Sequence, residues 1–505
     1  MIHVPRPILL SFLAALCAVL PAAACGPGSA PSHGPDTVPD VEDLSADTLG
    51  PGLPRLRVQG TSWVTEEGTP VVLRGANLGS WGFHEPWITA VDYDLAGRAL
   101  TQAEEAGLRD EARTAILAIQ GQDGDWLTLF EAALADQAGA EAAAAVVAAV
   151  RDCLPGIQDD SDRPLFQALE TRFGVAVRDE LVGIFMDAWI RDEDLAWLAA
   201  QGFNLVRVPL GYRTLTAISH LSPPTELVWN EAAFARIDGL LDRCRAHGLY
   251  AILDLQESPG GHNDYSGTPR LYDDETMQDL TVQLWEELSL RYRDRDEVAA
   301  YSLLAEPYGA PDPAARDAMY DRLLRAIRAT GDLRPLVIHD GFFGMDTLPH
   351  PEDLGWDQVV YSTHLFQFDF DELSDWEGLI ELFYPVALEQ PFASLGVPLF
   401  IGSFSTRHDA PWAYDAARLL VSYFEDHGWS WSVWTLKRID DPIGYELFGK
   451  TSSYGLLGGH ADFVRPDVCR DDADTLRARF ASYADYPFTP NDALLDALRE
   501  PWAPR

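Results

Sequence analysis

From residue 56 to about residue 440, short apolar runs alternate with longer stretches whose apolar residues recur at helical spacing. Eight runs carry the strand pattern: LRGANLG (73–79), FNLVRVPL (203–210), YAILDLQ (250–256), YSLLAEP (301–307), PLVIHDG (335–341), VVYSTHLF (359–366), PLFIGSFS (398–405) and SWSVWTLK (430–437). Continuous apolar runs of this length suit parallel strands covered on both faces. Between them, EAAFARIDGLLDRCRAHG (231–248), MQDLTVQLWEELSLRYRD (277–294), AARDAMYDRLLRAIRATG (314–331) and PWAYDAARLLVSYFEDHG (411–428) read as amphipathic helices, the first ending on Gly248 as a C-cap. Eight strands alternating with helices predict an α/β fold, a (β/α)8 TIM barrel.

A short hairpin pattern (57–59, 63–64, a turn at Glu67-Gly68, then 71–73) precedes the first strand. The stretch 90–186 departs from plain alternation: it is Ala-rich and helical in character, as in EAALADQAGAEAAAAVVAAV (131–150), and leads to the helix DEDLAWLAAQG (192–202). Following a strand's C-terminal end, this helical insertion should emerge on the face where barrels keep their sites, as a wall, a lid or bare scaffold. The C-terminal segment 450–505, with helix-like TLRARFASYADY (475–486), is expected to close the barrel.

The first residues change the picture of compartment. Arg6, the apolar run Ile8 to Leu20, and Ala22-Ala23-Ala24 read as a signal peptide over 1–24. A run of thirteen residues is too short for a bilayer, which needs about 20. Cys25 directly after the Ala run suggests a lipoprotein signal with lipidation at Cys25, and ordinary cleavage after Ala24 stays open. Residues 25–55, rich in Pro, Gly, Ser and Asp, are too polar to pack and suit a flexible tether, leaving 56–505 as the barrel. The reading is an exported protein, secreted or lipid-anchored at the bacterial cell envelope. Cys153, Cys244 and Cys469 then remain, with no zinc-type spacing. At most one disulfide can form among them, and buried free thiols are the expectation.

Composition narrows the function classes. Asp plus Glu total 79 against 37 Lys plus Arg, a net charge of −42, which repels polyphosphate and excludes nucleic acid as the main partner. No metal or organic cofactor is implied.

In barrels the polar residues at strand C-termini are the functional candidates, because the strand bodies are committed to packing. Those ends hold Asn77, Arg207, Asp254, Gln256, Glu306, Asp340, His364, Ser403 and Trp434. Glu306, between Leu-Leu-Ala and Pro, should project into the mouth as an acid, with Arg207 and His364 positioning a ligand or neutralising carboxylates. Trp81, Trp87, Tyr308, Phe342, Phe366 and Trp434 offer flat rings, which suit sugar C–H faces or simple packing.

These motifs resemble glycoside hydrolase family 5, the cellulase family, and most of all its exo-β-1,3-glucanase branch, over about residues 56–440. The resemblance rests on LRGANLGSWGFHEPWI (73–88), GFNLVRVPLGY (202–212), LDLQESPGGHNDYSG (253–267), LLAEP, STHLF, PLFIGSFS and WSVWTLK in order. It implies an oligo- or polysaccharide partner, a β-glucan, and retaining hydrolysis by two carboxyl groups about 5–5.5 Å apart. By the same resemblance the acid/base falls on Glu306, the orienting Arg on Arg207, the strand-six His on His364 and the platform Trp on Trp434, and Glu85 contacts the terminal sugar.

Four positions depart from the family's pattern. Its nucleophilic Glu is Ser403, the Asn before the acid/base is Ala305, the strand-three His is Gln256, and the Tyr after the strand-six His is Phe366. A Ser hydroxyl is neutral and shorter, and it needs a base to attack. Without a neighbouring carboxylate, Glu306 is expected to ionise more readily and to donate a proton less well. Arg207, robbed of its usual anion, is expected within about 4 Å of Asp254, Glu85 or Glu306. The expectation is a tethered, glycan-binding barrel impaired in retaining hydrolysis. Two alternatives stay open. One is an active hydrolase using a water at Ser403 with Glu257 or Asp409 as base, across about 6.5–9.5 Å. The other is a structural surface lipoprotein that recognises no sugar.

Overall fold

The computed structural model describes residues 52–91, 95–119, 122, 125–154, 162–263, 269–367, 370–407, 409–440, 454–459 and 465–502. The signal peptide, Cys25 and nearly all of the tether lie outside the described residues. Eight parallel strands close into a barrel: Arg74–Asn77, Leu205–Gly211, Tyr250–Glu257, Val298–Ser302, Leu336–His339, Val359–Phe366, Leu399–Ser405 and Ser430–Val433. These are strands one to eight below. Closure is made by strand eight on strand one, with Trp431 opposite Arg74 and Val433 opposite Ala76. The C-terminal segment therefore does not close the barrel, contrary to expectation. It adds a small sheet (Lys437–Ile439, Leu457–Gly459, Thr489–Pro490), and a last helix, Asp492–Arg499, packs on helix Ala413–Asp426.

An apolar layer inside the barrel follows from the strand pattern. Inside the barrel, Leu73, Leu205, Ile252, Ala300, Val337, Val360 and Phe400 form one cluster. The antiparallel hairpin Leu56–Gln59 and Ser62–Thr65 joins it through Leu56 and Trp63 and plugs the N-terminal end. Each such large side chain contributes roughly 1.5–3 kcal/mol of burial. With the bottom sealed, the polar strand ends stand at the opposite mouth.

Among the described residues, the insertion is six helices: Leu95–Glu105, Arg109–Ala118, Trp126–Ala138, Ala140–Arg151, Arg163–Phe173 and Val175–Trp189. The Ala-rich run 131–150 is two helices rather than one, because Gly139 takes φ +90° between them. In the second, Ala143, Val146, Val147 and Val150 are buried, one stripe at helical spacing. The free-thiol expectation is corrected for two cysteines. Cys153, just past this helix, forms a disulfide with Cys469 at a Cα–Cα distance of 5.5 Å, while Cys244 stays free and buried. A second tie joins the C-terminal part to the insertion: buried Lys437 donates to Asp194 at 2.6 Å and to the Trp189 carbonyl at 3.0 Å.

Candidate active site

The floor of the mouth is built around Arg207, which is 1% exposed. Its guanidinium donates to Asn77 Oδ1 at 2.7 Å, to Asp254 Oδ2 at 2.7 Å and to Gln256 Oε1 at 3.3 Å. The expected carboxylate partner is thus Asp254. Burial pushes the Asp254 carboxyl above its usual range, against the pull of Arg207. Asn77 also donates to the Gly402 and Val433 carbonyls, tying strand one to strands seven and eight.

Above this floor stands Glu306, buried and just beyond strand four, which ends at Ser302 rather than running on as the sequence pattern suggested. Its φ is +51°. A side chain larger than glycine held there costs on the order of 1 kcal/mol, and such strain collects at functional positions. His364 Nδ1 lies 2.6 Å from Glu306 Oε1. Burial, helped by the charge of Arg207, holds His364 well below its usual pKa, so the imidazole is neutral where its Nδ1 meets the Glu306 carboxyl. His339 packs edge-on to His364, ring centroids 4.4 Å apart. The carbonyl of Ala305 accepts from His262 Nε2 at 2.6 Å.

Strand seven supplies the remaining inward position. Its register slips by one residue against both neighbours, between Ile401 and Ser403 on one side and between Ile401 and Phe404 on the other. This β-bulge at Gly402 turns two consecutive residues toward the barrel axis, while Ile401 and Phe404 pack outward. At Gly402 a Cβ would sit 2.7 Å from His364 Nε2 and 2.9 Å from Ser362 Oγ, so only glycine admits the histidine ring. Ser403, opposite His364 in register, is 2% exposed, and its hydroxyl has no hydrogen-bond partner among the described residues. Among the described residues no base lies within hydrogen-bond distance of this oxygen, so they form no Ser–His nucleophile pair.

Aromatic rings border the mouth. Trp434 is buried at the end of strand eight and leans on half-buried Trp87, centroids 6.1 Å apart. Phe366 stands edge-on to His364 at 6.5 Å, and Phe342 contacts both His339 and Tyr308. Glu85 is buried beside them in chain order, its backbone N–H held by Ser80 Oγ at 3.0 Å. Of its two readings Trp81 takes packing: it is 1% exposed and donates its indole N–H to the Met186 carbonyl in the insertion.

Glu257 does not stand ready as a base for water at Ser403. Its carboxylate is ion-paired with Arg213, which also holds Asp162 at 2.9 Å, at the seam where the insertion meets the barrel. Burial pushes the Glu257 carboxyl up to about 7, with Asp162 adding to the rise and Arg213 opposing it. Asp409 lies 3.5 Å from Arg407, which reaches Asp371 at 3.0 Å. His262, His339 and the Arg213 seam were not singled out from sequence; only the Pro-Gly-Gly turn before His262 hinted that the loop folds back. Among the described residues, no group of three or more His, Cys, Asp or Glu is placed to hold a metal ion.

With this geometry in hand, known proteins give a consistent answer. The chain is 27% identical over 317 residues to a beta-xylosidase of Phanerodontia chrysosporium, covering 61% of this chain and 51% of that protein. It is 26% identical over 312 residues to a probable glucan 1,3-beta-glucosidase A of Emericella nidulans, covering 58% and 57%. It thus spans about half the length of the curated relatives it matches. A crystal structure of an endogalactoceramidase superposes with a TM-score of 0.50 at 19% identity, covering 85% of each chain. The sequence profile of the cellulase family, glycosyl hydrolase family 5, matches residues 170–439, more than half of the molecule and seven of its eight barrel strands. The chain belongs to that family.

Proposed function

We propose that this protein is an exported barrel, held at the cell envelope through a lipid on Cys25, that binds a β-glucan and has lost efficient retaining hydrolysis. The observation that carries the reading is Ser403. This position pairs in register with His364 across the strand-seven bulge, and it bears an uncharged hydroxyl with no partner among the described residues. Retaining hydrolysis needs a carboxylate to attack the anomeric carbon and to balance the oxocarbenium-like transition state. A serine with no base supplies neither. Ala305 adds to the loss, since it lacks the amide that its relatives' Asn would offer the sugar. The rings of Trp87, Trp434 and Phe366 keep a surface on which a sugar can stack. The Cys153–Cys469 disulfide suits an oxidising compartment outside the cytosol.

The test is Ser403→Glu beside the natural sequence, on β-1,3-, β-1,4- and mixed-linkage glucans, with binding read by affinity electrophoresis and hydrolysis by reducing-sugar release. The natural protein is expected to be retarded on at least one glucan with little sugar release. The variant should gain at least about tenfold, equivalent to ~1.4 kcal/mol of barrier. Equal and substantial hydrolysis by both would overturn the loss of activity, and an absence of retardation on every glucan would overturn glycan binding.

A further inference from the structure

We propose that His262 is the residue that positions Glu306, by clamping the peptide that precedes it. The proposal rests on the reading of Glu306 as the acid of a glycan site.

His262 is fully buried in the loop after strand three. Pro259-Gly260-Gly261 folds that loop back: both glycines have positive φ, and a Cβ on Gly260 would lie 2.5 Å from Met277 Cγ. The returning imidazole meets the Ala305 carbonyl through Nε2 at 2.6 Å, and Asn263 adds a longer bond to the same oxygen at 3.4 Å. Burial lowers the His262 pKa to about 4, so the ring carries one proton near neutrality. A carbonyl can only accept, so that proton is on Nε2. Nδ1 then accepts from the Ser258 backbone N–H at 3.3 Å and from the Ser258 hydroxyl at 3.1 Å. The tautomer is thereby fixed from both ends.

The clamp matters because the next residue is held left-handed. With the Ala305 carbonyl fixed by His262 and its N–H donating to the Leu255 carbonyl at 3.0 Å, the peptide plane leading into Glu306 has no freedom to relax. The carboxylate is thus delivered to His364. His262 bonds to the peptide that leads into Glu306, and so acts through Glu306.

The experiment titrates the Glu306 carboxyl by NMR in the full chain labelled with 13C-glutamate, with Glu306→Gln assigning the signal. In His262→Leu the carboxylate loses the His364 donor, which favours the charged form, so its midpoint should rise by about one pH unit. His262→Gln can still donate to Ala305 and should stay within roughly 0.3 units of the natural protein. Affinity electrophoresis on β-1,3-glucan runs alongside: His262→Leu should weaken binding severalfold in the natural background and not at all in Glu306→Gln. A folded His262→Leu with an unmoved midpoint overturns the proposal. Should that variant not fold, His262→Asn, which keeps an acceptor for Ser258 but falls short of Ala305, is expected to move the midpoint in the same way, and an unmoved midpoint there overturns it equally. A shifted midpoint in a protein that binds no glucan supports the clamp and removes the glycan reading instead.

Discussion

Glu257→Gln should change how stability depends on pH, and the sign is fixed by the seam. In the folded protein burial raises the Glu257 carboxyl from 4.5 to about 7. A raised carboxyl holds its proton better in the folded state than in the unfolded chain. Its contribution is therefore fully present below about 4.5 and is lost as the pH climbs through 7. A rise of roughly 2.5 pH units at ~1.4 kcal/mol each sets a ceiling near 3.5 kcal/mol, the opposing pull of Arg213 being already contained in that rise. Gln keeps an oxygen for Arg213, leaves Asp162 as its anionic partner, and does not titrate. Urea unfolding of both proteins at pH 4.5, 6 and 8 would read the effect. The gap should shift in favour of the variant by up to about 3 kcal/mol between the first and the last pH. A gap that stays constant across the three would refute the account of this seam.

Two further outcomes follow from the floor and the rim. Asp254→Ala leaves the buried Arg207 without its carboxylate, so the unfolding free energy should fall by about 3–5 kcal/mol, and adding Arg207→Leu should cost less than the sum of the two single changes. A loss under about 1 kcal/mol in the single variant would contradict the pairing as the dominant contact. Trp434→Ala should weaken retardation on β-1,3-glucan about tenfold, or ~1.4 kcal/mol, if its face supports a sugar; unchanged retardation would make it a packing residue only.

The barrel was legible because each strand is an unbroken apolar run: FNLVRVPL, YAILDLQ and VVYSTHLF emerge as the second, third and sixth strands almost to the residue. Arg207 was legible too, since an arginine inside an apolar strand must find an anion, and Asp254 lies on the adjacent strand. What escaped are features that depend on partners distant in the chain. Cys153 and Cys469 are 316 residues apart, and nothing in their spacing distinguishes a bond from two thiols. Glu257 looks available as a base in the sequence, but Arg213 occupies it, shared with Asp162 from the insertion. The bulge at Gly402 is invisible in PLFIGSFS, because one extra residue in a strand leaves composition and hydropathy unchanged. Likewise the left-handed turn at Glu306 contradicts local preference and exists only because the surrounding strands and the His262 loop impose it.

The bond between Cys153 and Cys469 turns most of the molecule into a covalent loop, threaded from the helical insertion through seven barrel strands and out to the C-terminal part. A protease that severs one peptide bond inside that loop leaves both pieces attached, and the nicked molecule travels at its original mass until a reductant parts them. Damage of that kind need not release a fragment.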